Sequence, residues 1–177
     1  MVWEKRYNDE IQLLGERVCK TRKSLGLRQE DLTMACGISR TEISRIEHGK
    51  NNVELHTLTR LGMVFKAELH TFFAAEAAAI APVKQKRSLA GRLTFEKKAL
   101  GKRLYQLRKH RKLSQLDLNV LSDIDSGEIS RYENGQINIV FSTLVKFATA
   151  LEVSLATLFD YEGPLPENTH YKGMKPD

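Results

Sequence analysis

Apolar residues recur along this chain at the three- and four-residue intervals of a helix, and polar or glycine-bearing breaks interrupt them. Ile11, Leu14, Val18 and Thr21 define one stripe, and Leu100, Leu104 and Leu107 define another. Asn8 and Thr94 precede these stripes and are good N-cap types, so a first helix is predicted to open at each. Breaks over 24–27 and 110–113 lead to short helices opening at Gln29 and Gln115. Their apolar positions are Leu32 and Ala35 in one, and Leu116, Leu118 and Leu121 in the other. Ser39-Arg40-Thr41-Glu42 and Asp125-Ser126-Gly127-Glu128 each place Glu three residues after a capping residue, the sequence form of a capping box. They predict a third helix through Ile43 and Ile46, or Ile129 and Tyr132, that stops at Gly49 or Gly135. Fourth helices are predicted over 53–65 and 139–151, and fifth helices over 68–73 and 154–159. Alanines extend the first of the fifth helices to Ala81, where Pro82 ends it.

These correspondences are an internal repeat. Residues 14–73 align with 100–159 without a gap and match at 22 of 60 positions, where about 4 matches would arise by chance at ordinary residue frequencies. The chain of 177 residues is thus predicted to be all-α, with two tandem five-helix units each just able to bury its own core. The expected boundaries are 1–81 for the first unit, 82–93 for a basic linker, 94–160 for the second unit and 161–177 for a mobile tail. Two short helices joined by a three- to four-residue turn make each unit a helix-turn-helix.

The net charge is +6, which suits a polyanionic partner. Its distribution sharpens that reading: residues 82–99 carry six basic residues against one acidic, and the repeats are close to neutral. Lys84, Lys86, Arg87, Arg92, Lys97 and Lys98 are candidate phosphate contacts, the rival being a solvated linker. No apolar run of membrane-spanning length and no basic-then-apolar leader occurs, so no membrane partner and a cytoplasmic address are expected. Cys19 and Cys36 face Tyr105 and Ser122 in the other repeat and have no CxxC partner, which fits free core thiols. His48, His56, His70, His110 and His170 show no metal-ligand spacing, and no phosphate-binding glycine loop or nucleophile motif is present. Neither an enzyme, a metal nor a cofactor is expected.

An Arg near the end of helix 1 (Arg22, Arg108), the Gln-x-x-Leu opening of helix 2 and the Ile-Ser-Arg-x-Glu-x-Gly pattern closing helix 3 together resemble the Cro and phage-repressor family of DNA-binding domains. This family is also called the lambda-repressor-like or xenobiotic-response-element type. The resemblance covers about 120 residues, taken as two stretches of the repeat length. It implies a double-stranded DNA partner, with helix 3 in the major groove and helix 2 across the backbone. Carried over by position, it implies that Gln29 and Gln115 donate to phosphate and brace the reading helix. It also implies that Arg40, Thr41, Ser44 and Arg45, with their counterparts Ser126, Gly127, Ser130 and Arg131, contact bases or adjacent phosphates. Arg22 with Glu47, and Arg108 with Glu133, are implied to be ion pairs tying helix 1 to helix 3.

The residue chemistry is compatible with those roles. The four positions on each third helix lie on adjoining faces of its first two turns, and an arginine fork matches guanine O6 and N7. Glu42 and Glu128 are read as capping residues in preference to readers of cytosine. The second copy departs from the pattern: Asp123 replaces Gly37, Asp125 replaces Ser39 and Gly127 replaces Thr41, so the first copy has the stronger reading head. Two arrangements stay open, a single chain gripping two unlike half-sites or a second copy that serves mainly to dimerise or to bind a partner. Leu69, Phe72, Phe73 and Ile80 offer a homodimer face, with packing inside the domain as the alternative. By family analogy the protein is a transcriptional repressor. The rival is an antitoxin that binds a protein partner, such as a toxin, through Trp3 and Tyr7 or through the tail from Tyr161. Trp3 is otherwise expected to pack on the first domain.

Overall fold

The computed structural model describes residues 2–74 and 88–167. In the first unit α1 (Val2–Ser24), α2 (Gln29–Cys36), α3 (Arg40–Glu47) and α4 (Leu55–Phe65) are followed by a 3-10 turn, η1 (Leu69–Phe72). The second unit repeats the order as α5 (Leu89–His110), α6 (Gln115–Ser122), α7 (Ser126–Glu133), α8 (Phe141–Ala150) and α9 (Leu155–Phe159). The fold is all-α, and among the described residues the one β-bridge is the isolated antiparallel pair Glu54–Val140.

Local chemistry explains the element ends. Ser114 accepts from the Asp117 amide at 3.0 Å and the Asp117 carboxylate accepts from the Ser114 amide at 2.7 Å, a complete capping box opening α6. On α3 and α7 only the forward half of the expected box forms. Ser39 Oγ accepts from the Glu42 amide at 3.1 Å, and Asp125 Oδ1 accepts from the amides of Gly127 at 2.8 Å and Glu128 at 3.3 Å. The turn between the two short helices needs a left-handed residue: Gly37 sits at φ 67° and Asp123 at φ 54°. The less suited Asp123 is held there by Lys146, whose ammonium donates to its carbonyl at 3.2 Å.

The units join about a local twofold axis. Leu55 N donates to Ile139 O at 2.8 Å and Phe141 N donates to Val53 O at 2.7 Å, and the repeat offset exchanges these two bonds. The same exchange relates His56 N to Asn138 Oδ1 at 3.3 Å and Ser142 N to Asn52 Oδ1 at 2.9 Å. Equivalent residues Phe73 and Phe159 stack on each other with centroids 5.0 Å apart. To either side α1 packs on α8 and α5 on α4, and a single buried apolar cluster runs through both units. Such an isologous seam is how identical subunits form a dimer, built here within one chain.

Several elements differ from the pattern-based expectation. The first helices open not at Asn8 and Thr94 but at Val2 and Leu89, the latter capped by Ser88. Their added turns bury against the opposite unit: Arg6 donates to Val153 O at 2.6 Å, Tyr7 meets Phe141 at 6.0 Å, and Arg92 pairs with Glu68. Trp3 likewise lies under the Lys146 ammonium of the second unit, 4.8 Å from the ring centre. The fourth helices begin two residues late because 53–54 and 139–140 are extended in the seam. The first fifth helix is a 3-10 turn. The start of the expected mobile tail is fixed, since Arg103 donates to Gly163 O at 2.9 Å and Pro164 O at 3.0 Å, and Tyr161 OH donates to Glu96 at 2.6 Å. The helical extension to Ala81 with Ile80, Pro82, and the tail beyond 167 lie outside the described residues.

Candidate nucleic-acid interface

The third helix of each unit, α3 or α7, is seated by the same buried device. Arg22 donates through Nε and Nη2 to both oxygens of Glu47 at 2.6 and 2.9 Å, and Gln29 Nε2 adds a bond to the same carboxylate at 2.9 Å. In the second unit Arg108 reaches Glu133 at 2.6 and 2.9 Å and Gln115 reaches it at 2.8 Å. One carboxylate therefore ties helix 1, the start of helix 2 and the end of helix 3 together, in a planar fork geometry that fixes their angle. Burial would raise the Glu47 carboxyl, but hydrogen bonds from Arg22 and Gln29 and the arginine's charge outweigh it. They hold the group below its ordinary value. Arg22 is raised in turn by its bond to Glu47.

Glycine lets the helices come this close. A Cβ on Gly15 would stand 2.5 Å from Ile46 O and 2.8 Å from Glu47 O, and one on Gly101 would stand 2.5 Å from Tyr132 O and 2.6 Å from Glu133 O. Ile43, Ile46 and Ile129 anchor the inner faces of α3 and α7. The outer faces carry the candidate readers. Arg40, Thr41 and Arg45 are exposed and Ser44 is half-buried; in the second unit Gly127 and Arg131 are exposed and Ser126 and Ser130 half-buried. Arg40 leans onto α2 through Glu30 at 3.0 Å, and Arg45 Nη2 meets Lys50 O at 3.3 Å. The side chains of His48 and Asn134, equivalent in the repeat, both fold back to the carbonyl of Ser44 or Ser130, at 2.7 and 2.8 Å.

The expected basic strap is altered. Arg92 is a seam residue: it is 8% exposed, donates to Glu96 at 2.6 Å and pairs with Glu68 as well. Two carboxylates and burial take it out of reach of phosphate. Burial pushes the Glu96 carboxyl up, against hydrogen bonding from Tyr161 and the charge of Arg92. Lys97 and Lys98 lie on α5, half-buried and exposed respectively, beside the loop that leaves α7. Lys84, Lys86 and Arg87 fall outside the described residues.

Three features escaped the sequence reading although the repeat held their signal. Gly15 and Gly101 are identical in the alignment, as are Asn52 and Asn138, whose side-chain amides cross the local axis. The pairing of each glutamine with the buried glutamate is the third.

Among the described residues no helix is long and apolar enough to cross a membrane. Comparison with protein-family models matches residues 20–70 to a helix-turn-helix family and residues 101–164 to a helix-turn-helix domain family. No curated protein and no solved structure matches the chain significantly. Two family matches that each span one buttressed helix pair, on a chain whose two units repeat each other, show two helix-turn-helix domains in tandem, consistent with a DNA-binding regulator of the Cro and phage-repressor type.

Proposed function

We propose that one chain acts as a complete two-headed reader of double-stranded DNA, placing α3 and α7 in successive major grooves, and that it serves as a transcriptional repressor. The observation that carries this reading is the isologous seam, which gives two equally buttressed heads the relation that a dimer of separate subunits would supply. Reach supports it. Glu47 and Glu133 lie seven residues from Glu54 and Val140 at the axis, at most about 25 Å each at the fully extended rise. The heads are then up to about 50 Å apart, a range that includes the ~34 Å between successive grooves on one face.

The readers proposed to touch DNA are Arg40, Thr41, Ser44, Arg45, Ser126, Gly127, Ser130 and Arg131, with Gln29 and Gln115 at the flanking phosphates. Joining the heads in one chain removes a concentration-dependent association step. The aromatic side chains that an antitoxin reading would offer to a protein partner are engaged within the chain: Trp3 by Lys146, Tyr7 by Phe141 and Tyr161 by Glu96. Selection of the intact chain on random duplexes tests the proposal. A motif should emerge, and a variant carrying Arg45→Ala and Arg131→Ala should lose selective binding while keeping its helical circular dichroism. Retention of the same motif by that variant would refute it.

A further inference from the structure

The two heads are seated alike but equipped differently, and we propose that the operator is polar: α3 reads one half-site as sequence, and the second unit holds the other chiefly by its phosphates. This rests on the DNA-reading function above and concerns how the reading is divided. The buttress distances agree between units to within about 0.1 Å, well inside ordinary hydrogen-bond scatter, so the heads do not differ in how they are held. They differ in what they carry.

Ser44 and Arg45 recur as Ser130 and Arg131, but Arg40 and Thr41 become Ser126 and Gly127. The first head presents two guanidinium forks and the second presents one. Arg40 is also preset by Glu30, and at the position of Glu30 the second unit has Leu116, so no equivalent pair exists there. Charge runs the same way. Residues 28–60 hold five basic and five acidic side chains, and residues 114–146 hold two and five. Asp123 and Asp125, both exposed, stand at the mouth of α7 where the first unit has Gly37 and Ser39. Carboxylates there repel phosphate and the acceptor-rich edge of guanine.

A compensating charge sits next to that head. Lys97 and Lys98 occupy the positions of Ile11 and Gln12. A Cβ on Gly135 would stand 2.9 Å from Lys97 O and 3.0 Å from Lys98 Cα, so these lysines leave α5 beside the end of α7. In the first unit that place is taken by Gln12, whose amide contacts His48 O at 3.4 Å. An ammonium on a flexible stem neutralises phosphate without the fork geometry that discriminates bases. The second unit thus has lost reading side chains and gained backbone-holding ones.

Selection on the wild-type chain, followed by footprinting and titration of the selected duplex, tests the division. The expected result is one specified block, with a second protected stretch about one helical turn away that is specified at no more than about one base pair. Arg45→Ala should then cost about tenfold or more in discrimination at the block, and Arg131→Ala less. Replacing Lys97 and Lys98 by alanine should weaken all duplexes alike and flatten the salt dependence by about one to two phosphate contacts. Moving the first head's residues across, by Asp125→Ser, Ser126→Arg and Gly127→Thr together, should make the second stretch acquire the sequence of the block. An inverted repeat with equally specified halves, or equal losses from Arg45→Ala and Arg131→Ala, overturns the polarity alone. Failure to enrich any motif overturns the DNA reading and the polarity with it.

Discussion

Truncating Phe73 to alanine removes the ring at the local axis while leaving both reading heads intact. Phe73 is 8% exposed, stacks on Phe159 at 5.0 Å and contacts Phe141 at 6.0 Å. Deleting a buried phenylalanine costs about 3 to 5 kcal/mol through lost transfer energy and the cavity left behind. A chain of this size moves its melting midpoint by about 2 to 4 °C per kcal/mol, so the expected fall is roughly 6 to 20 °C. Scanning calorimetry reads the result together with its cooperativity. If the units share one core, the wild type melts in a single transition whose calorimetric and van't Hoff enthalpies agree. The variant should then either melt lower as one unit or separate into two transitions. Affinity for the selected duplex should fall as well, because heads that are no longer fixed bind as tethered singles. A midpoint within about 2 °C of wild type, less than 1 kcal/mol on the same scale, would refute the seam as a structural element.

Two other outcomes follow from the buttress. Gly101→Ala places a methyl 2.5 Å from Tyr132 O, so α7 must move off α5; overpacking of this kind costs about 1 to 3 kcal/mol. The variant should fall in thermal stability and in DNA affinity, whereas Ala at exposed Gly127 should cost far less thermal stability, and equal losses of stability from the two would argue against the close approach. Acid should destabilise the first unit through Glu47. Its folded carboxyl is depressed, so the stability it contributes is present above the ordinary carboxyl range and is lost as pH falls through the lower folded value. Glu47→Gln should therefore lower stability at neutral pH and flatten the acid limb of the curve followed by circular dichroism; an unchanged acid limb would contradict the assignment.

Much of this architecture was legible in the residues. Identical Gln, Glu and Arg at matched places in both repeats mark the helix pair and its buttress. Periodicity within a unit reports the face turned toward that unit's own core, as Leu14 and Val18 show. It is blind to a second unit and so does not report the opening turns of α1 and α5, where Arg6, Tyr7 and Arg92 face the partner half. Arg92 also shows why a basic run misleads. A charge count along the chain assigns it to phosphate, whereas Glu68, 24 residues earlier, and Glu96 pair with it in space. For the same reason nothing local to Trp3 names Lys146 as its neighbour.

The most direct test of the two-headed reader is the stoichiometry of the specific complex. Sedimentation of the purified chain with its selected duplex should give one chain per duplex, with protected bases on two major-groove faces about one turn apart. Two chains per duplex, or protection confined to a single groove face, would contradict it.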